Sequence, residues 1–395
     1  MKKHFFLSSL FFFVFLFYAK VTLAKPVNWP AEGLPEPYAT PSANRGARII
    51  DQPDSAELKV PEGFQVEEYM SGFVSPRFMI LGSKDEIILS DTFVGKVYVI
   101  KDKKRKLLIR DLNNPYGLAF YKNWLYIAET TAVRRYEYDP DSLAVTSEGE
   151  MVVDMSEFNR GHITRSIIFD HKADKFYLSV GSRSNVDPGE PTMRAAISRF
   201  NPDGSGKEIF ASGIRNGVGL RKSSVHDQIW VTSHERDGLG DDLVPDYLTS
   251  VNKDDFLGWP YAYIGPHEDP RNAGLAPELV AKTRYPDVLL GSHVGALDFI
   301  FYNGDQFPDK YRGGCFVALH GSWNRSKLVG YRLVFVPFTT GKPIAGPEDF
   351  LTGWLLPEDS NKVWGRPVGL MELKDGSILV TDDAAGKIWR ISYSE

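Results

Sequence analysis

The chain has 395 residues, 43% hydrophobic and 25% charged, enough apolar side chain to bury one large core or two ordinary ones, which excludes a disordered chain and a coiled coil. Thirty-five Gly and 25 Pro, scattered without a collagen-like period, leave few stretches for long helices and favour a β-rich fold. A formal charge of −5 gives no electrostatic attraction for nucleic acid, and the single Cys315 excludes an intramolecular disulfide and a thiolate zinc finger.

Met1-Lys2-Lys3-His4 is basic, an apolar run occupies 5–19, and Thr22-Leu23-Ala24 closes it with small residues. These are the three parts of a secretory signal, and the run is shorter than the ~20 residues of a spanning helix. The sequence predicts a signal peptide over 1–24, cleavage after Ala24 and a periplasmic or secreted protein without stable membrane insertion; an uncleaved anchor is the alternative. Residues 25–58 carry many Pro, Ala and Ser with little apolar periodicity and read as an extended arm.

From 59 to 395 one pattern recurs. A short apolar strand ends in Ser, Thr or Glu, passes a polar or Gly-containing turn and resumes as a strand with aromatic and β-branched residues. The clearest copies are Ile87-Ile88-Leu89-Ser90-Asp91 with Gly95-Lys96-Val97-Tyr98-Val99, and Ile378-Leu379-Val380-Thr381-Asp382 with Gly386-Lys387-Ile388-Trp389-Arg390. Further copies begin at Trp124, Phe176, Gln228 and Cys315. Six units at separations of ~40 to 90 residues fit propeller blades, some with insertions. Gly63-Phe64-Gln65-Val66-Glu67-Glu68-Tyr69 reads as a strand closing the ring against the last unit. The predicted fold is all-β, a six-bladed β-propeller with four-stranded blades in one domain; a β-sandwich or two unrelated β domains is the alternative. Cys315, in an apolar strand, reads as a small buried hydrophobe.

Five loops hold the residues capable of chemistry. Arg160-Gly161-His162-Ile163-Thr164-Arg165 offers an imidazole that, neutral at the mouth of a channel, removes a hydroxyl proton; a structural hydrogen-bonding role is the alternative. In Ser212-Gly213-Ile214-Arg215-Asn216-Gly217 a guanidinium fork and an amide together suit a carboxylate or quinone oxygen, or else pin a turn. Glu235-Arg236-Asp237-Gly238-Leu239-Gly240-Asp241-Asp242, then Asp246, can direct oxygens at a hard cation such as calcium, or form an acidic surface loop. His320-Gly321-Ser322-Trp323-Asn324-Arg325 and Val363-Trp364-Gly365-Arg366-Pro367 set Trp beside Arg, as a site for an anionic aromatic cofactor would; a Trp plugging the rim is the alternative.

On these motifs, with Gly258-Trp259-Pro260-Tyr261 added, the chain resembles the soluble glucose/sorbosone dehydrogenases that use pyrroloquinoline quinone, and is most similar to their sorbosone dehydrogenase-like branch, from about Val60 to Tyr393. The resemblance implies that His162 is the general base for hydride transfer, that Arg215 stabilises the developing oxyanion, and that Asn216 and Arg366 hold the cofactor. It also implies calcium bound by the main-chain carbonyls of Arg236 and Asp237, with Asp241 and Asp242 at associated acidic positions. Arg325, with Lys327 as the alternative, stands in for a family lysine, His320 and Trp364 belong to the cofactor loops, and Asn114 is the candidate amide from the second unit.

Two departures stand out. Gly161 occupies the place of an acidic residue, and Trp364 that of a second arginine. The expected activity is oxidation of an aldose or sorbosone-like aldehyde by a calcium-activated quinone, with an external cytochrome or quinone as electron acceptor. A calcium-dependent propeller lactonase or hydrolase and a non-catalytic binding propeller are the alternatives.

Overall fold

The computed structural model describes residues 24–223, 227–356 and 361–394; all of the expected signal peptide except Ala24 lies outside them. Six antiparallel sheets form the blades of a β-propeller, most of them four-stranded. The first strands are Pro76–Leu81, Gly117–Tyr121, Arg165–Asp170, Gly217–Lys222, Ala296–Phe301 and Pro367–Glu372. They touch one another in a closed cycle, blade 1 to blade 6 and back. The last blade is completed by Phe64–Ser71, which pairs antiparallel with Lys387–Tyr393, so the ring is closed by the N-terminal end of the propeller chain. Among the described residues the single α-helix is the five-residue Pro277–Ala281, and no helix is long and apolar enough to cross a membrane.

The repeat visible in the sequence is the hairpin of second and third strands. Second strands such as Ile87–Asp91, Ile229–Ser233, Cys315–Leu319 and Ile378–Asp382 are buried at every residue, because each is covered on both faces by neighbouring blades. A strand so placed reads as an unbroken apolar run. Cys315 is fully buried among them. The terminal hydroxyls of the repeat reach to the next blade: Ser90 Oγ donates to Tyr116 O at 3.0 Å, Ser179 Oγ to Gly217 O at 2.7 Å, and Thr381 Oγ1 to Arg77 O at 2.7 Å. Thr232 Oγ1 does the same to Leu297 O.

First strands are crowded at the axis. A Cβ on Gly117 would lie 2.6 Å from Arg165 O, and one on Gly219 2.6 Å from Leu297 O, so only glycine allows adjacent blades to approach this closely. Outer edges are exposed and charged: blade 1 ends in Lys104-Arg105-Lys106, blade 6 in Glu67-Glu68, which discourages edge-to-edge pairing.

The arm preceding the propeller is bound along its length. Asn28 exchanges hydrogen bonds with Leu289 at 2.8 and 3.0 Å, and Tyr38 N donates to Leu239 O at 2.8 Å. Arg45 N donates to Trp323 O at 2.7 Å, and Arg48–Ile49 pair with Lys362–Val363. It therefore crosses the loops of blades 4, 5 and 6 that carry three of the candidate motifs.

Candidate active site

First and second strands of a blade run antiparallel, so the loop entering the first strand and the loop leaving the second emerge at the same end of the ring. Asn114, His162, Arg215, Asn216 and Arg366 precede first strands; Arg236, Asp237, Asp241, Asp242, His320 and Arg325 follow second strands. All candidate residues thus share one end, where three groups form.

In the first group His162 Nδ1 lies 2.8 Å from Ser182 O and 3.2 Å from Ser182 Oγ. Ser182 N donates to Arg215 O at 2.8 Å, tying the His162 loop of blade 3 to the Arg215 loop of blade 4. Asn216 and His162 flank Gly181, where a Cβ would overlap the Asn216 carboxamide and lie 2.8 Å from His162 Cβ. Asn216 Oδ1 is buried without a partner among the described residues, as is expected of a group awaiting a ligand. Burial first, then the positive charge of Arg215, holds the His162 imidazole well below its ordinary range, so it is neutral at pH 7.

In the second group Arg215 Nη1 donates to Glu235 O at 2.8 Å, while Nη2 meets Asn185 Oδ1 at 2.9 Å and Asp237 Oδ2 at 3.3 Å. The other Asp237 carboxylate oxygen accepts from Asn324. The Asp237 main-chain carbonyl already accepts from Arg271 Nη1 at 2.7 Å and Asn185 Nδ2 at 3.0 Å. Arg236 is fully buried, its guanidinium joined to Glu235 and Asp269 at 3.1 Å each.

These contacts bear on the expected calcium site. A guanidinium 2.7 Å from the Asp237 carbonyl opposes a second positive charge on the same oxygen. Asp241 is engaged by Ser326 N at 2.9 Å and by Ser326 Oγ, and Asp242 by Arg325 Nη2 at 2.7 Å. Among the described residues no cluster of three or more His, Cys, Asp or Glu is arranged to hold a metal. The Asp237 carbonyl and the Asp241 and Asp242 carboxylates thus already have partners within the protein. Arg325 bonds to Asp241 O and Asp242 Oδ1 in the same loop.

The third group joins blades 5, 6 and 1. His320 Nε2 lies 2.9 Å from Asp383 Oδ1 and Arg77 Nη2 2.6 Å from Asp383 Oδ2. Among the described residues the Arg366 guanidinium hydrogen-bonds only to main-chain oxygens, His320 O at 3.2 Å and Gly321 O at 3.3 Å, with Tyr331 beneath it at 5.7 Å. A largely buried guanidinium on long bonds to carbonyls retains donors for an anion. The donors of this corner suit an anion, and the buried Asn216 oxygen suits a hydrogen-bond donor.

Trp364 is corrected to a core residue: it is 2% exposed and its indole N–H donates to Gly353 O at 2.8 Å. Asn114 stands in the left-handed region at φ 49, its amide donating to Asn113 Oδ1 at 3.0 Å. The sequence reading missed Arg77, Ser182, Asn185, Arg271 and Asp383. A signal for Arg77 existed, since arginine recurs at the entry to the first strand in Arg165, Arg215 and Arg366; Ser182 and Asn185 follow the second strand of blade 3 as His320 and Asn324 follow that of blade 5.

A TrAA12-like family model matches residues 58–252 and 279–394; the gap lies within the insertion that follows the third strand of blade 4. An uncharacterized protein of Borreliella burgdorferi is 30% identical over 355 residues, covering 86% of this chain and 92% of that protein. A pyrroloquinoline quinone-dependent pyranose dehydrogenase of Coprinopsis cinerea is 25% identical, over 85% of this chain and 54% of its own length, so this chain spans about half of that relative. The calcium structure of Trichoderma reesei carbohydrate-active enzyme family AA12 superposes with a TM-score of 0.75 at 20% identity, covering 88% of this chain and 99% of that one. The chain belongs to the TrAA12-like family.

Proposed function

We propose that the chain is an oxidoreductase that binds pyrroloquinoline quinone at this end of the ring and oxidises a sugar hydroxyl or a sorbosone-like aldehyde. The observation that carries the reading is the joining of His162, Arg215 and Asn216 through Ser182 and Gly181, with an anion-receptive arginine corner at the same end. The similarity to the pyrroloquinoline quinone-dependent pyranose dehydrogenase of Coprinopsis and the sorbosone dehydrogenase-like motifs support it.

Asn216, Arg215, Arg366 and His320 would hold the cofactor, with Arg77 adding positive charge. When bound, the quinone supplies the hydride acceptor. His162 acts as the base: Nδ1 faces the Ser182 carbonyl, which only accepts, so Nδ1 carries the hydrogen and Nε2 the lone pair. Proton removal from substrate is therefore at Nε2. Arg215, buried and held from three sides by Asn185, Glu235 and Asp237, presents fixed positive charge where negative charge grows, without reorganisation.

The electrons pass to an external cytochrome or quinone, and export by the 1–24 segment places the reaction outside the cytoplasm. The calcium-dependent hydrolase is not retained, because the carboxylates it needs are engaged by Ser326 and Arg325. The test is reconstitution of purified protein with the quinone against a panel of aldoses and sugar aldehydes, with an artificial dye as acceptor. Dye reduction that requires both quinone and sugar supports the reading; no turnover with any member overturns it.

A further inference from the structure

The His162 loop is held by two arginines whose hydrogen bonds go to main-chain carbonyls. Arg165, fully buried, donates through Nη1 to His162 O at 2.7 Å and Thr164 O at 2.9 Å, and through Nη2 to Phe158 O at 2.9 Å. Arg194 donates to Gly181 O at 3.0 Å and Arg160 O at 2.6 Å and stacks over Phe158 at 5.0 Å. Five carbonyls, before, at and across from His162, are thereby fixed by two rigid forks. Glu190 and Glu157 act on Arg194 at longer range, while the charge felt by Arg165 is that of Arg194.

Guanidinium groups approach the imidazole from two blades. Blade 4 presents Arg215, itself 3.3 Å from Asp237; blade 3 presents Arg165 directly and Arg194 behind it, the latter answered at longer range by Glu190 and Glu157. The carboxylate nearby on blade 3, Glu190, is turned to the backbone, accepting from Arg183 N at 2.6 Å and Ser184 N at 2.7 Å. Nor can an acid enter at 161: Gly161 has φ 81, and a Cβ there would overlap the Arg183 backbone, 2.6 Å from its carbonyl oxygen. The imidazole is oriented by a neutral carbonyl, where a carboxylate would raise its basicity.

We propose that Arg165 and Arg194 are positioning residues for His162, two forks that fix the loop carrying the ring, with Arg165 setting a buried positive charge beside it. The inference rests on the base role given to His162 above, and its test separates the two. The ring is titrated by 15N-histidine NMR in the cofactor-free protein, assigned with His162→Gln, for the unmodified protein, Arg165→Met, Arg165→Lys and Arg194→Met. Arg165→Met is expected to raise the His162 midpoint, as loss of a neighbouring charge does. Arg165→Lys keeps the charge and loses the fork, so its midpoint stays low.

In the reconstituted enzyme Arg165→Lys is expected to lower kcat about tenfold or more with KM within about twofold, the cost of a misplaced base, and to have no further effect on a His162→Ala background. Unchanged His162 midpoints together with unchanged kcat in the folded variants overturn the proposal. If Arg165→Met fails to fold, Arg165→Lys and Arg194→Met decide it by the same readings. A midpoint that moves in a protein that oxidises no sugar upholds the positioning and overturns the oxidoreductase reading instead.

Discussion

Asp383 joins His320 to Arg77: its Oδ1 lies 2.9 Å from His320 Nε2 and its Oδ2 2.6 Å from Arg77 Nη2. The carboxylate is buried, which by itself raises its pKa, yet the cations around it hold it well below the usual carboxylate range. His320 is pushed down to about 4 by burial and then by Arg366. At pH 7 the pair is thus a carboxylate accepting the N–H of a neutral imidazole.

Both groups have folded-state pKa values below their unfolded ones, so both supply stability that is present at neutral pH and lost in acid. For His320 the loss begins as pH falls through 6.5 and runs to about 4; for Asp383 it continues below the ordinary carboxylate range. Urea unfolding at pH 5 is expected to give a stability lower by about 2 kcal/mol than at pH 7 from His320 alone, and His320→Gln to flatten that difference.

Removing the acid is expected to be worse than removing the base. Asp383→Asn leaves Arg77 and Arg366 uncompensated in a buried corner, a loss of about 3–5 kcal/mol, read by denaturant unfolding at pH 7.

The closing strand is anchored by one ring. Phe64 sits edge-on to Phe307, Tyr311, Phe350 and Tyr393 at centroid distances of 4.8 to 5.3 Å. Phe64→Ala is expected to cost about 3–5 kcal/mol and to expose Lys387–Tyr393 to hydrogen exchange before the other third strands.

Metal removal is expected to be silent. With Asp241 and Asp242 engaged internally and the Asp237 carbonyl facing Arg271, exhaustive chelation should leave Tm within about 1 °C and calcium addition should not raise it, since only a ligand of the native state shifts the transition. A calcium-dependent rise of several degrees would restore the metal site.

The ring was legible because its second strands, buried on both faces, leave unbroken apolar runs at every repeat, and because Ser90, Ser179 and Thr381 end them with the hydroxyls that stitch blade to blade. The first strands were not, since crowding at the axis replaces patterned side chains with Gly117, Gly219 and Gly369. The site loops were legible as motifs but not as partners. Nothing in the local sequence shows that Trp364 turns inward to Gly353, or that Arg325 is matched to Asp242. Such pairings depend on which loops the ring brings side by side, and Asp383, a plain acidic residue after a strand, acquires its meaning only from His320 and Arg77 across two blade boundaries.

The central claim is that the arginine corner and the His162 group receive a planar anionic quinone, and equilibrium titration of chelated apoprotein with pyrroloquinoline quinone, followed by tryptophan fluorescence, tests it most directly. The account predicts saturable binding of one quinone per chain with a Kd of ~10 μM or tighter, weakened about tenfold or more by Arg366→Ala, as loss of a charged hydrogen-bond donor requires. Absence of saturation up to ~1 mM, or binding indifferent to Arg366, would contradict it.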